Sequence, residues 1–265
     1  DKQRELIVFA LGLSLIVVIP VYILLFSFAW RYREGNHKKA KYNPELSGNR
    51  WAEGVWWLIP TVLITILSVV AWDSSHTLDP YRSLDSGVRP IRIQVVAMDW
   101  KWLFIYPEQH VASVNLFQFP KGTPLDFQIT SDAPMNSFWI PQLGGQIYAM
   151  PGMVTQLHLQ ADRTGNFNGW SANISGDGFA RMTFVARSSS KASYEAWLDQ
   201  LRRSPDRLDV AAYEQLSRPG ESSFRYYSSV QSGMFDAQVM KYLVPTTTDG
   251  KTYHFMPSVN MGMGG

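Results

Sequence analysis

The chain has 265 residues, 46% of them hydrophobic, a formal net charge of +2 and no cysteine. That length can bury a sizeable core and hold more than one structural unit. The near-neutral balance argues against a nucleic-acid partner, and the lack of cysteine excludes a disulfide framework and any thiolate metal site.

Between Glu5 and Arg31 no charged residue occurs, and the run "LIVFALGLSLIVVIPVYILLFSFAW" would extend about 37 Å as a helix. A second uncharged run, "GVWWLIPTVLITILSVVAW" between Glu53 and Asp73, would extend about 28 Å. Both are read as transmembrane helices, the pair occupying residues 1–87 with a loop over about 31–53. Pro20 and Pro60 lie inside them, where membrane helices tolerate proline. Trp30, Trp51, Trp56, Trp57 and Trp72 fall near the ends, as interfacial aromatics do. The intervening loop carries Arg31, Arg33, Lys38, Lys39, Lys41 and Arg50 against Glu34, Glu45 and Glu53. Excess positive charge assigns it to the cytoplasm, and both ends of the hairpin and everything after Asp73 to the other side. An exported N-terminus needs a leader, and "DKQRE" is not one, so the given sequence is read as starting downstream of it.

From 88 to 187 the hydrophobic period changes to two. "PIRIQVVAM" aligns Ile91, Ile93 and Val95; "PLDFQIT" aligns Leu125, Phe127 and Ile129; "MVTQLHLQ" aligns Met153, Thr155, Leu157 and Leu159. Turn residues at "PKGTP", "QLGGQ" and "RTGN" separate these runs. The pattern predicts a Greek-key β-sandwich. Residues 188–265 return to helical spacing. "ASYEAWLDQLRR" sets Tyr194, Trp197, Leu198 and Leu201 on one stripe, and "SGMFDAQVMKYL" sets Phe235, Val239 and Leu243 on another. Both helices are too short to span a membrane and are expected to pack on the sandwich or a neighbour. The closing "HFMPSVNMGMGG" reads as a tail or a strap over a partner.

The five histidines, His37, His76, His110, His158 and His254, show no ligand-like spacing. His158 alternates with Gln156 and Gln160 on a polar strand face. The sequence contains neither a P-loop nor a nucleophile elbow. One stretch is left without a role, the glycine- and serine-rich "NGWSANISGDGFARM" at 168–182.

The order of two spans, a basic loop and an outer sandwich with "MDWKW" and "NSFWIP" resembles subunit II of the haem-copper terminal oxidases over residues 1 to about 187. The aromatic helical C-terminus and "GQIYAMPGM" at 145–153 resemble its quinol-oxidising branch, of cytochrome bo type. The implied fold is a membrane-anchored all-β protein: a transmembrane hairpin, a cupredoxin-like sandwich and a helical C-terminal extension.

In the family's cytochrome c-oxidising members the sandwich holds a dinuclear copper centre bound by two histidines, two bridging cysteines, a methionine and a backbone carbonyl. On the resemblance, Asn136 stands at the first histidine, Ser171 and Ser175 at the cysteines, Asn173 at a glutamate between them and Phe179 at the second histidine. Only Met182 keeps the family's residue. Bridging copper needs soft thiolates, so no metal is expected in this chain. Asn173 also removes the carboxylate that helps form a hydrophilic metal site at the family's subunit boundary. A membrane-soluble quinol can reach the large subunit from the side without an outer copper relay, so the loss points to ubiquinol as the donor.

The resemblance implies subunit II of a proton-pumping ubiquinol oxidase that reduces dioxygen to water. Haem and copper would reside in a large subunit I, with subunits III and IV and membrane lipid as further partners. The implied location is the bacterial inner membrane, N-terminus and outer domain periplasmic, with a leader ending at a lipid-bearing cysteine. No catalytic residue is expected here. Glu53 matches a glutamate at the mouth of a proton channel, the alternative being a plain boundary charge. Trp100 and Trp102 match an aromatic patch near the place where electrons arrive, and are expected to pack at a subunit interface. Two rivals remain: a membrane-tethered mononuclear copper or electron carrier, which would need a cysteine ligand, and a non-catalytic cupredoxin-like assembly or binding subunit.

Overall fold

In a computed structural model, residues 2–33, 48–77, 79–81 and 87–243 are described. Two compact units emerge, one up to Asp79 and one from Pro80 onward. Lys38, Lys39, Lys41, His37 and the tail with His254 lie outside the described residues.

The first unit consists of helices α1 (Lys2–Arg31) and α2 (Arg50–Thr77). The Asn49 carboxamide oxygen caps α2, accepting from the backbone N–H of Trp51 at 3.0 Å and Ala52 at 3.4 Å. Both helices are long and apolar enough to cross a membrane, with mean hydropathies of 2.8 and 2.1. α2 buries no residue, and large apolar side chains such as Ile7, Phe26, Trp56 and Val69 stand open. In water that surface would be untenable; in lipid it is the expected one.

The second unit is a sandwich of two sheets. One contains β1 (Ile91–Met98), β2 (Lys101–Tyr106), β3 (Val111–Val114), β5 (Leu125–Ser131), β8 (Thr155–Leu159) and β11 (Arg225–Tyr227), in the order β11-β3-β2-β1-β5-β8. The other contains β4 (Leu116–Pro120), β6 (Asn136–Trp139), β7 (Ile147–Ala149), β9 (Gly165–Ser171) and β10 (Thr183–Ser189), in the order β4-β10-β9-β6-β7. β1 runs parallel to β5 and β4 parallel to β10; the remaining pairs are antiparallel. Between the sheets lies a core rich in aromatics, where Trp102, Phe104, Phe117, Phe127, Phe138 and Phe184 are fully or almost fully buried. Phe138 and Phe184 stack at 4.8 Å across β6 and β10, and Trp102 meets both edge-on at 5.4 and 5.5 Å.

Alternation predicts a polar outer face for the first sheet, yet β2 is buried along its whole length. A second core explains this: Val96, Met98, Leu103, Ile105, Ala112 and Val114 point away from the first and are covered by Leu208, Tyr213, Leu216, Met234 and Phe235. These come from and around helices α4 (Val210–Ser217) and α5 (Met234–Leu243). Helix α3 (Lys191–Arg202) buries the expected stripe of Tyr194, Trp197, Leu198 and Leu201 against the first core instead. Met153, expected in a strand, lies exposed in the turn before β8.

Two charged side chains anchor the helices. The Lys101 ammonium donates to the carbonyls of Leu216 and Arg218 at 2.9 and 2.7 Å, capping the end of α4. Asp132, whose side chain is almost fully buried, accepts from the Tyr213 hydroxyl at 2.9 Å and from Lys241 and Tyr242 at 2.7 Å each. Burial works against the Lys241 charge, but its bond to Asp132 and that carboxylate's charge hold its pKa above the usual lysine value. Burial, followed by the Asp132 charge and hydrogen bond, pushes the Tyr213 phenol far above its usual value; burial does the same to Tyr194.

Exposed tyrosines in the unfolded chain ionise at about pH 10, while these two keep their protons in the fold. The unfolded state then binds fewer protons, so stability falls as pH rises through about 10. Lys101, whose pKa burial lowers, opposes this only below that pH. The thermal midpoint of the second unit is expected to drop in alkaline buffer, and less steeply in Tyr213→Phe. A midpoint that stays level into strong alkali would contradict the burial assignment.

Candidate functional site

Three loops meet where the unassigned glycine-rich stretch follows β9. A two-residue turn, Asp99–Trp100, joins β1 to β2, and Trp100 takes a left-handed backbone at φ 64°. Such a conformation is uncommon for a bulky residue and is maintained only where the surroundings enforce it. Here the Trp100 indole N–H donates to the Ser175 carbonyl at 3.2 Å, and the ring lies against Gly176 and Gly178. A Cβ on Gly178 would sit 2.2 Å from the Trp100 ring, so only glycine fits.

Asn136 opens β6 with its side chain fully buried, and Ser171 ends β9 directly beside it. The Ser171 hydroxyl donates to the Asn136 Oδ1 at 2.9 Å and accepts from the backbone N–H groups of Ser137 and Asn173, each at 3.4 Å. Asn136 Nδ2 donates to the Pro134 carbonyl at 2.8 Å, and Asn173 Nδ2 to the Met135 carbonyl at 3.3 Å. Phe179 begins a short 3-10 helix, Phe179–Arg181, and its carbonyl accepts from the Met182 N–H at 3.0 Å. Met182 is fully buried in the first core, and its carbonyl accepts from the Ser171 N–H at 3.2 Å. The Ser175 hydroxyl is buried without a hydrogen-bond partner.

Asn136, Ser171, Asn173 and Met182 are thus tied together, while Ser175 and Phe179 belong to the part of the loop that turns towards Trp100. The donors on offer are an amide oxygen, neutral hydroxyls, carbonyls and one thioether. A dinuclear copper centre needs bridging thiolates, which no residue of the chain can supply. The residues do not fit that group. Among the described residues no cluster of three histidine or carboxylate side chains could hold another metal. Chemically the arrangement closes a loop by hydrogen bonds.

Trp102 requires a correction. It was expected at a subunit interface, but it has no exposed surface and sits in the aromatic core. The short turn places Trp100 at the loop tip and points Trp102, two residues on, between the sheets. Trp100 is half-buried at the edge of that core. Glu53 lies in the first turn of α2, in the other unit, exposed, with its backbone N–H bonded to the Asn49 carbonyl at 2.8 Å. His158 faces Asp126 at 3.6 Å and the Pro80 carbonyl at 3.0 Å. Sequence reasoning missed Asp132, Lys101 and the Gly178 contact. Only the last left a trace, as "GDG" in a loop whose glycines had no stated reason.

Comparison with known proteins follows the same division. The model described as cytochrome c oxidase subunit II, periplasmic domain, matches residues 107–189, and the cytochrome oxidase aromatic-rich motif matches 202–246. The chain is 50% identical over 242 residues to cytochrome bo(3) ubiquinol oxidase subunit 2 of Pseudomonas putida, covering 91% of this chain and 77% of that one. It is 44% identical over 244 residues to ubiquinol oxidase subunit 2 of Acetobacter aceti, covering 91% and 79%. Among solved structures, the periplasmic domain of cytochrome oxidase subunit II from Bradyrhizobium japonicum aligns with 42% of this chain and 91% of that one, at 22% identity and a TM-score of 0.40.

Gly178→Ala is expected to destabilise the β-sandwich by about 1–3 kcal/mol, because the Trp100 ring root cannot swing away. Asp177→Ala beside it should change stability by less than about 0.5 kcal/mol. Thermal unfolding of the two variants followed by tryptophan fluorescence checks this; equal midpoints would show that the ring moves freely.

Proposed function

This chain belongs to the ubiquinol oxidase subunit 2 family, and from that premise we propose that it anchors and caps the outer side of a proton-pumping quinol oxidase. It is a subunit of an oxidoreductase complex, and the observation that carries the assignment is half-identity along nine-tenths of its length to a ubiquinol oxidase subunit 2. A loop whose residues cannot supply bridging thiolates to copper supports the same reading. A donor dissolved in the bilayer can pass its electrons to the large subunit laterally, so an outer relay has no task. Haem and copper in that subunit would supply the reduction of dioxygen to water. The chain's own contribution would be placement: two apolar helices in the membrane, and a rigid sandwich with its N-terminus and outer domain on the periplasmic side. Further partners would be subunits III and IV and membrane lipid.

Asn136, Ser171, Asn173, Ser175, Phe179 and Met182 are the proposed remnants of the family's copper site, and Trp100 the proposed interface aromatic. Glu53 is the proposed proton entrance. An exposed carboxylate at the end of an apolar helix can collect protons at the membrane surface and present them to a partner. Its position in the first turn of α2 also places negative charge where the helix dipole favours it.

The decisive experiment is capture of the tagged full-length chain in mild detergent, followed by an optical spectrum and oxygen uptake with reduced ubiquinone. Haem bands and quinol-dependent uptake should travel with the chain; a colourless, inactive capture would favour a non-catalytic assembly subunit instead. In the active complex, Glu53→Gln should lower turnover several-fold while leaving haem content unchanged, and Glu53→Asp should restore part of the rate. Unchanged turnover in Glu53→Gln would reduce Glu53 to a boundary charge.

A further inference from the structure

Strand β8 is the last of its sheet and pairs with β5 on one side only. An edge strand leaves backbone N–H groups unpaired, yet the one at His158 is taken: it donates to the Pro80 carbonyl at 3.2 Å. Pro80 is the first residue of the second unit, so the chain is fastened to the sandwich where it enters. The His158 ring fastens it a second time, with Nδ1 3.0 Å from the same carbonyl. A carbonyl oxygen offers only lone pairs, so Nδ1 must carry a hydrogen to bond it.

That requirement determines the state of the other ring nitrogen. Nε2 stands 3.6 Å from Asp126 Oδ1, while Asp126 Oδ2 accepts from Arg92 Nε at 3.0 Å. A neutral imidazole has one hydrogen, which Nδ1 uses, and the lone pair on Nε2 then faces a carboxylate oxygen. The two repel. An imidazolium carries a hydrogen on each nitrogen and can donate to both acceptors, with the carboxylate contact charge-assisted. The His158 and Asp126 side chains are only 11% and 14% exposed, so water screens this pair little.

The ionisable groups on the surrounding elements are Asp126 on β5, Arg92 on β1 beyond it, Tyr148 on β7 and, flanking Pro80 in sequence, Asp79 and Tyr81. Arg92 repels an imidazolium, but it occupies the far oxygen of Asp126 and leaves the near one to the ring. The next row of the same face, Gln94, Gln128 and Gln156, carries no charge.

We propose that His158 is a pH-sensitive clasp: protonated, its ring bonds Asp126 and the Pro80 carbonyl together and tightens the hold of β8 on the entering chain, and deprotonated, it keeps the carbonyl alone. The sign follows from the acceptors. The clasp is strong in mild acid and weakens as pH rises through the range in which imidazole titrates. It goes beyond the oxidase reading and stands without it, because both acceptors belong to this chain.

The test is hydrogen–deuterium exchange of the full-length chain in mild detergent at about pH 5.5 and about pH 8, which bracket that range, with exchange times corrected for the intrinsic effect of pH. In the unmodified chain, corrected exchange of a peptide spanning 155–159 is expected to be several-fold slower at the lower pH, and that of a peptide spanning 101–106 to be the same at both. His158→Gln keeps a donor for the Pro80 carbonyl but cannot titrate, and Asp126→Asn keeps the ring but removes the charge. Each should abolish the pH dependence at 155–159 and leave 101–106 protected, whereas a merely structural histidine would shift exchange equally at both pH values. Equal corrected exchange in the unmodified chain, faster exchange in acid, or a pH dependence that survives either substitution would overturn the proposal. The comparison within the unmodified chain decides the matter even where a variant fails to fold.

Discussion

Strand β2 and the second half of β1 have no solvent face, and the second unit is organised around that constraint. One side of the pair faces the aromatic core between the sheets, and the other faces α4 and α5. Each fully buried Leu, Ile, Val or Met is worth about 1.5–3 kcal/mol relative to exposure. Val96, Met98, Leu103 and Ile105 would be thrown open if the C-terminal helices detached. The aromatic-rich segment is accordingly half of a core, and β11 binds it further by pairing with β3.

Asp132 shows how that attachment is made specific. A buried carboxylate is costly unless paired and hydrogen-bonded, and here it receives two phenol hydroxyls and an ammonium from α4 and α5. Its own backbone N–H donates to the Ala97 carbonyl of β1 at 2.8 Å. The helices therefore cannot slide along the sheet without stranding the charge. Apolar packing holds them on; Asp132 and the Lys101 cap determine where.

The elements legible in the sequence were those whose environment is uniform along their length. Two long uncharged runs became α1 and α2, Ile93 and Phe127 alternated into one core, and the Tyr194–Trp197–Leu198–Leu201 stripe of α3 packed as its spacing implied. Residues with two environments were not legible. The burial of β2 on both faces left no sign, because nothing local reveals that residues more than a hundred positions later cover one of them. Asp132 left no sign either, since a carboxylate carries no mark of the tyrosines and lysine that will surround it. Trp100 and Trp102 look equivalent in "MDWKW", yet one left-handed residue at the hairpin tip sends one to the rim and the other to the core.

The same contrast explains the loop after β9. A metal ion can hold a loop in shape by binding its residues at one point, and a loop without that ion must be held at several. Here the attachments are distributed: Ser171 to Asn136, Asn173 to the Met135 carbonyl, Met182 to Ser171, and the Trp100 ring against two glycines. Each net hydrogen bond adds only about 0.5–1.5 kcal/mol, so no single one suffices, and the close ring contact at Gly178 supplies the rest. Such a loop has shape but offers neither thiolate nor imidazole to a metal ion. What it presents is then geometric, a surface whose form is set by these contacts and by the core behind them.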